Sequence, residues 1–298
     1  MAHSKLIKPI MIKKYLILSV VSLAFFAFKS DKKAYQLFDI KGKEVSYTKL
    51  LEKAKEADVI LFGEFHDNPI DHWLEQELTK DLYSDKKENL ILSAEMFESD
   101  DQITVDEYLT GAVSEKTLKD EAKLWTNFPS DYKPLLDFAK KNKLRFVAAN
   151  IPRRYANMVY TKGLEKLDSI SNEAKRWIAP LPIQYDSTLM CYKDIFNQAK
   201  GHGGQNLPKS QAIKDATMAY FMLQNYTAGK TLIHFNGSYH SDHHQGIEWY
   251  LKKSNPTLKV LTIGSTDQEE IENLEKENLG LADFIICTPT SMSKSYRP

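Results

Sequence analysis

Apolar and polar segments alternate along the chain in a way that predicts strands alternating with helices. Short apolar runs, each bounded by charged or glycine-containing segments and too short for helical periodicity, predict buried strands. These runs are Val59–Phe62, Leu90–Phe97, Arg145–Pro152, Lys230–Asn236, Lys259–Gly264 and Asp283–Cys287. Because strands that alternate with helices are typical of α/β folds, we expect a mostly parallel central sheet flanked by helices.

Apolar residues at helical spacing connect the predicted strands. Ser46 is a candidate N-cap for the helix before the first buried strand, and Asn68 with Pro69 has the N-cap and first-turn pattern of the helix after it. Residues 165–230 contain no strand pattern, and residues 188–199 and 211–225 have helical spacing. The sequence therefore predicts a helical insertion over about residues 153–230.

Ionisable side chains follow the predicted strands at the points where they end. Glu64, His66 and Asp67 come directly after Val59–Phe62, and Glu95 lies at the end of the next strand. Open α/β sheets bind ligands at the carboxyl ends of their strands, so this placement predicts a site.

Histidines are concentrated at two of these junctions. Six of the eight histidines fall there, namely His66, His72, His234, His240, His243 and His244. A single histidine is more often a structural hydrogen-bonding residue than a ligand. Their concentration beside acidic residues indicates a polar site.

Two kinds of chemistry fit these residues. Glu64, His66, Glu95 and His240 are ligand types suited to zinc or another divalent ion. Alternatively, Glu64 could be a general base and a histidine an electrophile without metal. The chain has no His-Glu-x-x-His, Gly-x-Ser-x-Gly, Walker or dinucleotide glycine pattern.

Composition excludes several classes of protein. Of the 298 residues, 27% are charged and 42% apolar, as expected for a globular chain, and 40 basic residues balance 40 acidic ones. This balance gives no indication of nucleic-acid binding. Cys191 and Cys287 lack zinc-site spacing, and we expect them to be small buried residues.

The N-terminus has the pattern of an export signal. Lys13 and Lys14 precede an uncharged apolar run from Tyr15 to Phe28, which is shorter than the roughly 20 residues that a spanning helix needs. We interpret residues 1–30 as a secretion signal or an uncleaved N-terminal anchor that allows membrane association. Residues 31–298 are then one α/β domain with a helical insertion.

Several segments together resemble the ChaN-like family of haem-binding, iron-regulated proteins. They occur in family order and span about residues 58–264. The segments are Gly63-Glu-Phe-His-Asp-Asn-Pro-x-x-His72, Ala94-Glu-Met-Phe97, Tyr132-Lys-Pro-Leu-Leu-x-x-Ala139, Ala149-Asn-Ile-Pro-Arg153, Asp215-Ala-Thr-Met-Ala219 and Gly237-Ser-Tyr-His240. Each segment alone is weak, but the ordered set is specific.

The resemblance implies an exported bacterial protein, periplasmic or membrane-associated, that takes part in haem or iron uptake. It also implies homodimers that hold haem between subunits, with a tyrosine on each iron and basic groups on the propionates. Tyrosine is abundant, with 15 residues, and the haem-binding residues predicted here are Tyr155, Arg153, Arg154 and His72. Tyr185 and Tyr192 are further tyrosine candidates.

The wider superfamily includes Tiki proteases, TraB-like proteins and erythromycin esterases. By that resemblance, Glu64, His66, Glu95 and His240 would form a catalytic or metal site. Non-enzymatic haem binding is the favoured hypothesis, and a metal-dependent or general-base hydrolase is the alternative. The expected cofactor is therefore haem or, for the hydrolase, a divalent metal ion.

Overall fold

The central strand of the sheet is buried on both faces, which explains why its sequence is continuously apolar. In the computed structural model, which describes residues 32–198 and 204–295, Ile60 and Phe62 pack into one apolar cluster. Val59 and Leu61, which point the other way, pack into a second cluster. Two hydrophobic layers therefore sandwich the sheet, as in other α/β proteins.

The sheet contains seven strands in the order β1-β7-β6-β2-β5-β3-β4. Their bounds are β1 (Gln36–Asp39), β2 (Val59–Glu64), β3 (Leu90–Glu98), β4 (Arg145–Asn150), β5 (Thr231–Gly237), β6 (Val260–Gln268) and β7 (Phe284–Pro289). All neighbouring pairs are parallel except β1 and β7. The predicted α/β class with a mostly parallel sheet is confirmed.

Helices connect the strands where the sequence pattern predicts them. Their bounds are α1 (Tyr47–Glu56), α2 (Pro69–Lys86), α3 (Gln102–Thr110), α4 (Glu115–Glu121), α5 (Lys133–Asn142), α6 (Arg153–Lys162), α7 (Met190–Gln198), α8 (Asn206–Asn225) and α9 (Ile247–Ser254). Both predicted N-caps form, since Ser46 accepts from the Lys49 N–H at 3.2 Å and Asn68 from the Ile70 N–H at 2.9 Å. Helices α6, α7 and α8 lie in the predicted insertion.

The order of the strands determines where a ligand can bind. From β2 the chain continues to β3 and β4 on one side of the sheet, whereas β6 and β7 lie on the other side. Strand β5 pairs with both β2 and β3, so the carboxyl ends of these three strands are adjacent. Such a reversal of the strand order leaves a crevice at the carboxyl edge of the sheet.

Two further features concern the cysteines and the N-terminus. Cys191 and Cys287 are free thiols; Cys287 is buried, as expected, whereas Cys191 is only partly buried, contrary to the expectation. Within the two described ranges, no helix has both the length and the apolar character needed to cross a bilayer. The predicted secretion signal lies outside the described residues.

Candidate functional site

Glu64, the last residue of β2, receives hydrogen bonds from two side chains. His66 Nδ1 donates to Glu64 Oε1 at 2.6 Å, and the hydroxyl of Tyr132 donates to the same oxygen at 2.7 Å. Glu64 and Tyr132 are each 1% exposed. His66 reaches the surface and packs edge-to-face against Trp125, with ring centroids 4.8 Å apart. The hydrogen bond to a carboxylate therefore fixes the orientation of an accessible imidazole.

A second carboxylate–histidine arrangement is built from three separate elements. His240 Nδ1 donates to Asp215 of α8 at 2.5 Å, and its Nε2 lies 3.3 Å from Oε1 of Glu95 in β3. The hydroxyl of Tyr192 in α7 donates to the other Asp215 oxygen at 2.7 Å. We call His240, Glu95 and Asp215 the His240 cluster. It ties the helical insertion to the edge of the sheet.

Gly237 lies between the two arrangements and allows them to approach each other. It pairs with Glu64 across the β2–β5 ladder, and its N–H donates to Glu95 Oε2 at 2.8 Å. A Cβ atom at this position would lie 2.8 Å from His66 Nε2 and 3.6 Å from Glu95 Oε2. The absence of a side chain here therefore brings the four predicted residues Glu64, His66, Glu95 and His240 into one site.

Burial and pairing oppose each other in setting the charges of these groups. Burial alone would raise the pKa of the Glu64 carboxyl, but the hydrogen bond from His66 and the nearby charge of His72 hold this pKa at about 2. Burial would lower the pKa of His240, but the negative charges of Glu95 and Asp215 raise it to about 10. At neutral pH, His240 is therefore an imidazolium held between carboxylates.

Beneath this site is a group of fully buried ionisable residues around His72. Nδ1 of His72 donates to Glu75 Oε2 at 3.3 Å and also lies 3.0 Å from Glu64 Oε2. The contact with Glu64 is close in distance, yet Glu64 Oε2 has no hydrogen bond of acceptable geometry in the described residues. On the other side of the ring, Nε2 lies 3.1 Å from the His66 carbonyl oxygen and 3.4 Å from Asp131 Oδ2. We call His72, Glu64 and Glu75 the His72 cluster.

Two cavities adjoin the site at the carboxyl edge. The larger has a volume of about 700 Å³, and its lining includes Phe65, Lys123, Leu124, Trp125 and Arg153. The smaller, of about 370 Å³, is lined in part by Tyr192, Asp215 and His240. His66, Gly237 and Tyr239 line both cavities. Tyr239 is 57% exposed, so a phenol lies accessible between them.

The structure separates the four residues predicted to bind haem. Arg153 lines the larger cavity, but Arg154 instead pairs with Asp100 at 2.6 Å and covers the ring of Tyr155. Tyr155 packs against an apolar cluster beside α6 and does not line either cavity. His72 is 4% exposed and is surrounded by carboxylates, so it is a member of the buried cluster and not of a cavity wall.

The candidate metal ligands in the structure are not the four residues that the sequence predicts. In residues 32–198 and 204–295, the ligand atoms that converge within 4.8 Å of one another belong to Glu64, His72 and Glu75. The predicted set Glu64, His66, Glu95 and His240 instead forms two hydrogen-bonded pairs.

The remaining junction histidines have structural contacts. His234 is fully buried in β5 with Nδ1 2.9 Å from the Ser93 hydroxyl, and burial lowers its pKa to about 3. His244 pairs with Glu248 at 2.9 Å, and His243 lies 3.3 Å from the carbonyl oxygen of Gly280.

Five site residues were not predicted as such: Glu75, Trp125, Tyr132, Asp215 and Tyr239. Glu75 follows His72 by three positions, a helical spacing that places two side chains on one face and could have identified it. Asp215 and Tyr132 each begin one of the family segments, but the tertiary fold brings them to the site and no local pattern shows that contact. Tyr239 lies inside a recognised segment, where its exposure could not be read from sequence.

The fold and the paired carboxylate–histidine groups define an α/β protein with a ligand site at the carboxyl edge of its sheet. The sequence model of the family described as haem-binding uptake, Tiki superfamily, ChaN matches residues 50–251, and the chain belongs to this family. No curated protein sequence matches the chain significantly.

Solved structures show the same fold at low sequence identity. ChaN of Campylobacter jejuni, described for cofacial haem binding, is 19% identical with a TM-score of 0.65, over 86% of this chain and 97% of that one. A mutant erythromycin esterase, EreC, in its open conformation is 10% identical with a TM-score of 0.51, over 88% and 98% of the two chains. These similarities establish the fold.

Proposed function

We propose that this protein binds haem in the larger cavity and takes part in haem or iron uptake. The observation that carries the proposal is a cavity of about 700 Å³ with an aromatic wall and a basic rim, in a member of a haem-binding family. Cavities of this size accommodate cofactor-sized ligands.

The residues of the cavity suit the chemistry of haem. Phe65, Leu124 and Trp125 offer apolar and aromatic surface for a macrocycle, while Lys123 and Arg153 offer positive charge for its carboxylates. Lys123 already lies within 3.4 Å of Glu98 and Asp100, whereas Arg153 forms no ion pair with the described residues. Arg153 is therefore the stronger candidate for a propionate.

Tyr239 is the tyrosine best placed to bind iron. Haem iron accepts tyrosine as an axial ligand in some proteins. Tyr239 is 57% exposed and lines both cavities, whereas Tyr155 packs against an apolar cluster. Bound haem would supply an iron centre for this phenol, so Tyr239 replaces Tyr155 as the proposed ligand.

Dimerisation and export complete the proposal. A planar haem has two faces, and the exposure of Tyr239 means that a ligand beside it remains partly uncovered by this chain. A second copy of the chain would cover that face, as the sequence resemblance implies. The apolar segment 15–28 supports export to the periplasm of a bacterium or retention at its membrane, with the α/β domain starting near residue 31.

Haemin titration followed by absorbance tests the proposal, with Tyr239→Phe compared with the matched control Tyr155→Phe. We expect saturable binding by the wild type and by Tyr155→Phe, and an altered Soret band with at least about tenfold weaker binding for Tyr239→Phe, since a direct iron ligand is lost. Light scattering after size exclusion should show a dimer once haemin is bound. Unsaturable haemin uptake by the wild type would refute haem binding, and equal spectra of the two variants would refute the role of Tyr239.

Hydrolysis is the second candidate function, and the two carboxylate–histidine pairs beside the smaller cavity favour it. Nδ1 of His66 donates to Glu64, an arrangement that leaves Nε2 to act as a general base. His240, whose pKa is raised to about 10, would stay protonated and hold Glu95 in place through their ion pair. A panel of activated esters tests this activity. We expect His66→Gln to lower kcat by about 100-fold or more, and His244→Gln, on a separate pair, to leave it unchanged. Turnover that survives His66→Gln would rule out this mechanism.

A further inference from the structure

The His72 cluster contains more buried carboxyl groups than its single imidazole can pair. Glu64 and Glu75 are 1% and 0% exposed, and both lie within 3.3 Å of a single imidazole nitrogen. Asp71, also 0% exposed, and Asp131, 4% exposed, lie close by. Buried carboxylates are stable only when paired with cations or bound to metal. One imidazolium can neutralise only one of these carboxylates, and burial beside the charge of Glu64 raises the pKa of Glu75 well above its ordinary value.

Several buried oxygen atoms of this region lack partners. Glu64 Oε2, Glu75 Oε1 and Asp71 Oδ1 have no hydrogen-bond donor among the described residues. In the interior of a folded protein such atoms are rare, and each requires a physical explanation. A bound cation would satisfy the two glutamate oxygens and the charge of both carboxylates together.

The geometry around His72 has the form of a metal site. The Nδ1 atom lies 3.0 Å from Glu64 Oε2 and 3.3 Å from Glu75 Oε2, spacings expected between ligand atoms that each bind one ion at about 2.0–2.2 Å. On the opposite side of the ring, Nε2 lies 3.1 Å from the His66 carbonyl oxygen. Histidines that bind metal through one nitrogen usually donate the other N–H to a carbonyl or carboxylate, which fixes the ring.

We propose that Glu64, His72 and Glu75 form a buried site for a divalent transition-metal ion, distinct from the haem cavity. Imidazole with two carboxylates favours zinc, iron(II) or manganese over calcium and magnesium, which prefer all-oxygen sites. Glu64 links the two sites, because it also lines the larger cavity and accepts a hydrogen bond from His66. An ion here would fix the strand end that presents His66.

Zinc binding to the metal-stripped full chain tests the proposal, with Glu75→Gln compared with Glu248→Gln. Glu248 pairs with His244 outside the cluster and provides a matched buried carboxylate. Competition with a chromophoric chelator should give one zinc per chain for the wild type and Glu248→Gln. For Glu75→Gln we expect affinity to fall by more than about 100-fold, because loss of groups that only support a ligand already costs about 10–100-fold. Equal zinc affinity in both variants, or no stoichiometric binding by the wild type, would overturn the proposal.

X-ray absorption of the wild type with one equivalent of zinc keeps the proposal testable if Glu75→Gln does not fold. We expect one imidazole in the zinc shell, with oxygen ligands at about 2.0–2.2 Å. Two imidazoles would instead place zinc between His66 and His240 and would refute the buried site.

Discussion

The His240 cluster and the His72 cluster are built from the same residue types but differ in how completely they are paired. In each, a buried histidine lies between two carboxylates, and a buried tyrosine donates to one of them at 2.7 Å. No buried atom of the described His240 cluster lacks a partner, whereas Glu64 Oε2 and Glu75 Oε1 in the other cluster do. The first cluster is a closed network, and the second leaves two buried oxygen atoms without a donor.

This difference implies different roles for the two clusters. A fully paired network holds its imidazole in one position, because any movement would break buried, charged hydrogen bonds. The His240 cluster therefore positions His240 at the edge of the smaller cavity. A cluster whose buried oxygen atoms lack donors gains stability from a bound group that satisfies them. The His72 cluster is therefore expected to respond to metal and the His240 cluster is not.

Removing one carboxyl group from each cluster should give the largest difference between them in the free energy of unfolding. In chelator-treated protein, Glu95→Gln removes one of two anions that balance a buried imidazolium, and we expect the free energy of unfolding to fall by about 3–5 kcal/mol. Burial beside Glu64 raises the pKa of Glu75 well above its ordinary value, so Glu75→Gln replaces a protonated carboxyl with an amide of the same shape, and its effect should be below about 1 kcal/mol or stabilising. Urea unfolding of both variants measures the difference, and equal losses would contradict the distinction.

Removing a tyrosine hydroxyl should have a smaller and also unequal effect. Tyr192→Phe leaves Asp215 Oδ2 without its donor, which we expect to cost about 1.5–3 kcal/mol. Tyr132→Phe leaves Glu64 Oε1 with the hydrogen bond from His66, so the cost should be about 0.5–1.5 kcal/mol. Thermal unfolding of the two variants measures both losses of stability. A larger loss for Tyr132→Phe than for Tyr192→Phe would contradict the prediction.

The smallest predicted effect is on the titration of His240. Its pKa in the folded chain is raised to about 10 from an ordinary value of 6.5, so its stabilising contribution is complete below about pH 6.5 and is lost as pH rises through about 10. We expect Asp215→Asn to lower the midpoint by about 1 pH unit, equivalent to about 1.4 kcal/mol. Imidazole proton resonances followed by NMR measure it. An unchanged midpoint would mean that Asp215 does not stabilise the imidazolium.

The same contrast explains what the sequence could and could not reveal. Glu64, His66 and His72 lie within nine positions of one another, so their junction, N-cap and site could be predicted locally. Asp215 reaches His240 only because α8 packs against β4 and α9, and the sequence contains no signal for that contact. Continuous apolar runs identified the strands because both faces of the sheet are buried. The exposure of Tyr239 and the burial of His72 depend on packing, which the sequence does not show.

Anomalous diffraction at the iron edge, from crystals of the haemin-loaded protein, tests the central claim most directly. We predict one iron per chain in the cavity lined by Trp125 and Arg153, within bonding distance of the Tyr239 hydroxyl. Iron bound at Tyr155, or at a surface position away from the carboxyl edge of the sheet, would contradict the proposed haem site.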